Sequence, residues 1–304
     1  MSSNRNPETS IVTPTYNRAA LLPGLLANVR AQTCQDFELI VVDDGSTDDT
    51  ERVMAEYTAA EPQRIRYIRQ KNRGSGAARN AGIREARGKY VAFLDSDDAW
   101  DPRYLERAVG ALTSGRYHWA VTACERIDID AEGNERSRSV IGCDIQREGS
   151  FFERELSVYE GLLTGNVIGE TSRVVVTKQA LHVVGGFRED LKLSQDYELW
   201  LRLARENYFL TVIDEPLVAY RKSIDSVTKT RFVEALTFGY RIIREYSRDA
   251  IERDPLFAKF YAQKMRIYAR DVYCSRPLRL LFLLRCLVSR LRFGLIYQVR
   301  NRNS

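Results

Sequence analysis

Four consecutive residues at the end of an apolar run are the best suited to chemistry: Asp95-Ser96-Asp97-Asp98, directly after Val91-Ala92-Phe93-Leu94. Unpaired carboxylates are too costly to bury, so a strand that ends this way must deliver them to an edge. In an open α/β sheet, ligands bind at the carboxyl ends of the strands. Clustered acids repel one another unless a cation joins them. A hard divalent ion, Mg²⁺ or Mn²⁺, with a phosphate completing its shell, suits such a group. The competing reading is a solvated turn leading to a helix N-cap ahead of Pro102, since Asp is common in both. A second apolar run, Phe37 to Val42, also ends in acids, Asp43-Asp44. Two strands that end alike point their carboxylates at one rim.

The elements that must position these acids alternate. Ser10 to Thr13 reads as a first strand that breaks at Pro14. Leu21, Leu22, Leu25, Leu26 and Val29 recur at helical spacing. After the strand at Phe37–Val42, Gly45-Ser46-Thr47-Asp48 supplies turn and cap residues for a helix running towards Ala60. Ile65 to Ile68 is a third strand, Gly74 to Gly82 leads into another helix, and the acid-tipped strand follows. The order βαβαβαβ implies an α/β fold with a mainly parallel, Rossmann-like sheet covered by helices on both faces. Further strands are expected over Trp119–Asp130, Ser172–Val176, Phe209–Ile213 and Leu217–Tyr220. Helices are expected over Phe151–Leu163, Gln179–Val184 and Asp196–Arg205. Glu135–Ser150 reads as a loop, and the pattern is helical after Arg221. The expected organisation is a catalytic domain over 1–221 and a helical extension over 222–304.

Composition narrows the function. A chain of 304 residues with 44% apolar residues can bury a real core. Its two histidines, His118 and His182, are too few for a histidine-rich metal site or a histidine triad. The five cysteines show no paired spacing, which excludes a disulfide framework or zinc site and suits a reducing compartment. The net charge of +5 comes from the tail: Val272–Ser304 holds seven arginines and no acid, leaving 39 basic against 41 acidic residues before it. That distribution argues against a nucleic-acid-binding surface. Met1 to Glu8 is polar and lacks the apolar core of a secretory signal, so a cytoplasmic location is expected.

Five stretches together resemble the inverting family 2 glycosyltransferases of the GT-A fold. They are Val12-Thr13-Pro14-Thr15-Tyr16-Asn17-Arg18, Val41 to Asp48, Ala77-Ala78-Arg79-Asn80-Ala81-Gly82, Phe93 to Asp98, and Gly185-Gly186-Phe187 through Gln195-Asp196-Tyr197-Glu198-Leu199-Trp200. They fall in the family's order over residues 8 to 221. The resemblance implies a nucleotide-sugar donor, with Pro14, Thr15 and Tyr16 holding the nucleoside. It implies that Asp44 accepts the imide N–H of the base. Uracil, thymine and guanine offer such a donor and cytosine does not, so UDP-, dTDP- or GDP-sugars are implied. Asp43 reads as a structural acid. Arg79 is implied near the base and diphosphate. Asp95, Ser96 and Asp97 match the Asp-x-Asp motif, with Asp97 as metal ligand, Asp95 on metal or ribose, and Mn²⁺ or Mg²⁺ as the cofactor. Asp98 is expected to cap the next helix, and Trp100 to pack, with sugar stacking as its alternative. Asp196 is implied to be the general base of a single displacement.

Two departures matter. Gln195 stands where a Glu is usual, and Tyr220-Arg221-Lys222-Ser223 stands where many members carry a histidine that can ligate the metal, so that either water or Asp225 fills that position or the metal is held less tightly. The Gln-x-x-Arg-Trp motif of processive members is absent, so one sugar per encounter is expected. The implied acceptor is a carbohydrate or lipid-linked sugar in surface polysaccharide synthesis. In the tail, Leu280, Leu281, Leu284, Leu287, Val288, Leu291 and Leu295 share one helical face flanked by Arg279, Arg285, Arg290 and Arg292. Residues 277–299 could lie on the inner face of an anionic membrane or pack on the protein. A nucleotidyltransferase would want a basic Gly-rich loop after the first strand, which Pro14 to Arg18 is not. Asp44, Asp97 and Asp196 count against a silent sugar-binding scaffold.

Overall fold

A computed structural model of the chain describes residues 5–130, 132–143, 156–223 and 232–272. The first half is the expected alternation. Strands β1 (Thr9–Thr15), β2 (Phe37–Asp43), β3 (Ile65–Arg69) and β4 (Tyr90–Phe93) are separated by α1 (Leu22–Arg30), α2 (Thr50–Ala60) and α3 (Ser75–Glu85). Successive residues such as Ile11 and Val12 are both fully buried, so both faces of the sheet are covered. Leu22, Leu25, Leu26 and Val29 form the buried stripe of α1. On the other face α3 lies close against β1: a Cβ at Gly82 would meet Val12 Cγ1 at 2.3 Å.

The second half adds a two-residue β5 (Ala99–Trp100), then α4 (Tyr104–Gly110), β6 (Trp119–Ile129), β7 (Glu135–Ile141), α5 (Val158–Thr164) and a 3-10 turn (Thr171–Arg173). β8 (Val174–Thr177), α6 (Lys178–Val184), α7 (Gln195–Arg205) and β9 (Leu210–Ser223) complete it. The sheet order is β3-β2-β1-β4-β8-β6-β9-β5, with β7 on β6. β1 to β4, β6 and β9 run one way and β5, β7 and β8 the other, a mixed but mostly parallel sheet.

Register explains the shape of the rim. Ala92 is level with Val175 and Ala120, so β4 ends where β6 still has most of its length to run. β6 stays paired with β9 from Trp119↔Leu210 to Ile129↔Ser223 and projects past the acids as a wall, with β7 as its third strand.

Three expectations need correction. Glu135–Ile141 is a strand, not a loop: alternation is invisible there because every residue through Val140 is exposed, and cross-strand pairing holds it instead. The two closing strands are one, because β9 pairs along the full length of β6 and absorbs Pro216 at a register shift. Asp98 does not cap a helix, since β5 follows it and Arg103 occupies the N-cap of α4. Cys34 and Cys124 are free thiols.

The chain divides into two compact units, Met1–Arg231 and Phe232–Ser304. In the second, α8 (Phe232–Tyr246), α9 (Arg248–Arg253) and α10 (Pro255–Val272) bury Ile242, Ile243, Tyr246, Phe257 and Phe260. Pro255 opens α10, where its missing N–H costs nothing, and Asp254 Oδ1 accepts from Phe257 N at 3.2 Å. The arginine-flanked tail helix, residues 277–299, lies outside the described residues, as do Asp225 and residues 151–155 of the helix expected from Phe151.

Candidate active site

The loops after β1 and β2 are sewn together. Asn17, at φ 52°, donates its N–H to Ser46 Oγ at 2.8 Å, and its own Oδ1 accepts from Thr47 N at 2.8 Å. Asp44 N donates to Thr15 O at 2.8 Å, and Ala19 N to Asp48 Oδ2 at 3.0 Å. Pro14 and Thr15 therefore reach the rim on a rigid support, while the Tyr16 ring is 47% exposed above it. Such an exposed ring on a fixed loop can stack on a base.

The acids after β2 are satisfied. Asp43 accepts from Ser46 N at 2.8 Å and from the Tyr67 hydroxyl at 2.6 Å. Asp44 accepts from Gln70 Nε2 at 2.7 Å, Arg73 N at 2.9 Å and Gly74 N at 2.7 Å. A carboxylate has about four lone-pair directions, so Asp44 keeps one for a ligand.

The acids after β4 stand differently. Residues 95–98 form a tight turn closed by Asp98 N donating to Asp95 O at 3.1 Å, with Ser96 and Asp97 at its tip. Asp95 accepts from Arg79 Nη2 at 2.6 Å and from Thr171 Oγ1 at 3.2 Å. Asp98 points inward, accepting from Ser172 Oγ at 2.6 Å and from Arg221 N at 3.2 Å. Burial, with Asp95 and Asp97 beside it, pushes the Asp98 carboxyl well above the usual range. Asp97 has Arg18 Nη2 at 3.7 Å and a side chain 44% exposed; loss of hydration and the charge of Asp95 raise its carboxyl.

This donor set suits a divalent cation, whose charge would reverse the repulsion between Asp95 and Asp97. Among the described residues no cluster of three or more His, Cys, Asp or Glu side chains could hold a metal alone, so a cation here would draw further ligands from phosphate oxygens, water or residues outside those described.

Arg79 sits behind the acids rather than out on the rim. Its Nη2 serves Asp95 and Thr171, its guanidinium lies 5.5 Å from the centre of the Phe187 ring, and its buried Nε has no hydrogen-bond partner. Next to it, Asn80 binds the backbone of Phe187 both ways, N–H and carbonyl, at 2.8 Å each. Gly186, at φ 68°, leaves that approach open: a Cβ there would meet Asn80 Oδ1 at 2.5 Å. The two motifs are one interlock, which brings α7 to the site.

α7 begins after Ser194, which takes the left-handed conformation at φ 58°. Gln195 is buried and accepts from Ser75 Oγ at 3.1 Å. It packs on Gly76, tying the start of α7 to the start of α3. Asp196 lies in the first helical turn, its Oδ1 accepting from Tyr197 N at 2.8 Å. Desolvation pushes its carboxyl up to about 6; the Tyr197 N–H and Arg79 oppose this, and Glu170 and Asp95 add to it. Asp95 and Asp196, from opposite halves of the sheet, thus share the field of one arginine.

The sequence reading gave no site role to Glu170, Thr171, Ser172 and Tyr220. Burial raises the Tyr220 hydroxyl and the charge of Glu170 adds to it; Glu170 also raises Asp196. The signal was present in reverse. β8 runs antiparallel to β4, so polar residues just before its apolar run reach the same rim as acids just after β4. Trp100 is 3% exposed, stacks on Tyr104 at 4.2 Å and donates Nε1–H to Ser172 O, which leaves no face for a sugar. Arg173 is buried, donating to the carbonyls of Thr122, Ile141 and Gly142.

Residues 10–172 match the family described as glycosyl transferase family 2. An uncharacterised glycosyltransferase of Rickettsia felis is 30% identical over 260 residues, covering 83% of this chain and 38% of that protein. The chondroitin synthase of Escherichia coli is 33% identical over 205 residues, covering 67% of this chain and 28% of the synthase. The chain thus spans well under half of either relative. A putative teichuronic acid biosynthesis glycosyltransferase of Bacillus subtilis is 26% identical, covering 79% of this chain and 90% of that protein. Among solved structures, S. aureus TarS in complex with UDP-GlcNAc superposes with a TM-score of 0.63 at 19% identity, over 91% of this chain and 79% of that one. A Pyrobaculum calidifontis mannosyltransferase in complex with GDP-Man and Mn²⁺ gives 0.55 at 18% identity, over 94% and 81%. These structural likenesses establish the fold, GT-A-like, on grounds independent of the site residues.

Proposed function

The chain belongs to glycosyl transferase family 2, and from that premise we propose a metal-dependent, inverting transfer of a single sugar from a UDP-, dTDP- or GDP-sugar to a carbohydrate or lipid-linked acceptor. The observation that carries the proposal is the shared arginine: Arg79 binds Asp95 on the donor side and lowers the carboxyl of Asp196 on the acceptor side. An acid turn able to meet a diphosphate and a carboxylate able to take a proton therefore face one space.

Pro14, Thr15 and Tyr16 hold the nucleoside, and the remaining lone pair of Asp44 accepts the imide N–H. Asp97, backed by Asp95, holds Mn²⁺ or Mg²⁺, and Ser96 lies beside them for the ribose or phosphate. The ion supplies positive charge against the departing diphosphate. Arg79 holds Asp95 in place through its Nη2 at 2.6 Å. Asp196 takes the proton of the acceptor hydroxyl as its oxygen bonds to the anomeric carbon. The bond from that carbon to the diphosphate oxygen breaks, and its electron pair leaves with the nucleotide. A carboxyl with pKa about 6 is mostly ionised at neutral pH yet more basic than an ordinary aspartate, which favours this role.

Single transfer is supported by α7 itself. Arg202 is taken up by Glu198 at 2.7 Å and by the carbonyls of Val184 and Gly186, a structural use of the stretch where processive members carry their motif. The relatives named for chondroitin and teichuronic acid synthesis favour a surface polysaccharide pathway. We assign catalysis to the first unit, so that the boundary expected at 221/222 moves past the end of β9 at Ser223, and a helical extension to the second unit, Phe232–Ser304, with peripheral membrane contact through 277–299 at the inner face. Among the described residues no helix is long and apolar enough to cross a membrane. The test is a donor screen for Mn²⁺-dependent nucleotide release, followed by the anomeric configuration of the product. A β-linked product from an α-linked donor is expected; retention of configuration, or release indifferent to chelation, overturns the mechanism.

A further inference from the structure

The sheet has a second functional-looking rim, opposite the acid turn. Where β1 and β4 begin and the antiparallel β8 ends, the chain encloses an open cleft of about 650 Å³. Arg5, Arg87, Lys89, Lys178 and His182 line it, and Glu8 is the single acid among the lining residues.

Many arginines of this unit pair with carboxylates, as Arg30 with Glu61, Arg73 with Glu189 and Arg107 with Glu215, and others, such as Arg84 and Arg116, have none among the described ion pairs. What sets the cleft apart is that five basic side chains line one concavity with a single acid. Among the described ion pairs, Arg87, Lys89 and Lys178 have no carboxylate in contact, although Glu8 acts on Lys89 from a distance, and Arg5 reaches Asp36 only at 3.9 Å. Lys178 Nζ donates to Ala86 O at 2.5 Å, and Lys89 Nζ lies 4.9 Å from the centre of the Tyr90 ring. Lys178 N donates to Lys89 O at 2.8 Å, so the two lysines are held as neighbours by backbone rather than by chance of side-chain position.

Cations gathered around one concavity attract a multivalent anion more than a single charge would. Arginine offers a fork of donors and lysine a compact charge, the two geometries suited to phosphate oxygens. The volume is that of a small-ligand site. A carboxylate monoanion would leave most of these cations unmatched. We propose that this cleft binds a phosphate group, as a phosphomonoester or diphosphate, at a site separate from the donor rim. The phosphate is either free in solution or carried by a lipid headgroup. The site stands independently of the catalytic reading.

Two probes distinguish the sources: pyrophosphate by calorimetry in the presence of EDTA, which removes metal-dependent binding at the other rim, and sedimentation with phosphatidylglycerol vesicles against phosphatidylcholine vesicles. The full chain is compared with Arg87→Gln/Lys89→Gln and with Arg52→Gln/Arg248→Gln, a control of equal charge change at exposed positions elsewhere. We expect the cleft variant to lose at least tenfold in affinity for one probe while the control keeps it. Loss confined to pyrophosphate identifies a soluble ligand, and loss confined to phosphatidylglycerol identifies a headgroup. Each single substitution should give an intermediate loss with an unchanged melting temperature. Failure of the full chain to bind either probe, unchanged binding by the cleft variant, or equal loss in the control overturns the proposal.

Discussion

At the end of β2, Asp43 and Asp44 meet five fixed donors: Ser46 N, the Tyr67 hydroxyl, Gln70, Arg73 N and Gly74 N. At the end of β4, on the same rim with β1 between them, Asp97 has one arginine at 3.7 Å, and the turn's carboxyls push one another up. Both stretches are apolar runs that stop in acids. Fixed donors make the first pair mostly scaffold, because a carboxylate whose lone pairs are nearly all taken has one direction, at Asp44, left for a neutral N–H and little field for a cation. The second turn is short of donors, so its charge remains available to a cation or a ligand. Position at a strand end does not tell the two kinds apart; the count of fixed donors around each carboxylate does.

The largest expected effect comes from removing the exposed acid. Asp97→Ala should reduce metal-dependent turnover about a thousandfold, the scale of several kcal/mol of charge stabilisation, with the melting temperature almost unchanged. Near-normal turnover with the same Mn²⁺ dependence would return this turn to the class of the β2 pair. Asp196→Asn comes next. It keeps the size of the side chain but cannot take a proton, so turnover should fall by about 10² while donor binding, measured by nucleotide displacement, is retained. A variant of wild-type speed removes Asp196 from the mechanism.

Asp44→Ala sharpens the other side of the comparison. It strips a charged acceptor from the donors of Gln70, Arg73 and Gly74, so unfolding in denaturant should show a loss of about 2–3 kcal/mol. Asp97→Ala should show none of this. If Asp44→Ala leaves stability untouched, the three bonds do not hold the loop and the donor count is not the distinguishing quantity.

Much of the first half of the fold was legible because each β-α unit announces itself: an apolar run, a polar break, then a helical stripe such as Leu22, Leu25, Leu26 and Val29. The family motifs placed the acids on one rim for the same reason. What could not be read was anything fixed by pairing across distance. β7 is a strand because β6 hydrogen-bonds to it, although its own residues are exposed. Asp98 looked like a cap because caps are local, whereas its partners, Ser172 and Arg221, lie 74 and 123 residues away. Arg79 read as a ligand contact, but its guanidinium turns back to Asp95 and Thr171. Glu170 was overlooked because it precedes its strand, and only the antiparallel direction of β8 carries it to the rim.

Glu170 supplies the smallest and most selective test. The groups acting on Asp196 are Arg79, which lowers its carboxyl, and Glu170 and Asp95, which raise it beyond what desolvation does. The base works ionised, so kcat/KM should be lost as pH falls through about 6 and reach a plateau above it. Glu170→Gln removes one negative neighbour and makes ionisation of Asp196 easier. The acid limb of the profile should therefore move to lower pH, by well under one pH unit, because desolvation remains the largest cause. Arg173 loses a partner at 3.8 Å but keeps three carbonyls, so the fold should hold. The same profile recorded for Arg79→Met would mix a shift of the opposite sign with the release of Asp95, which is why the glutamate is the cleaner probe. A limb that stays in place in Glu170→Gln with unchanged stability means that Asp196 does not titrate in that limb. A limb that moves to higher pH means that Glu170 supports the base through a contact rather than through its charge.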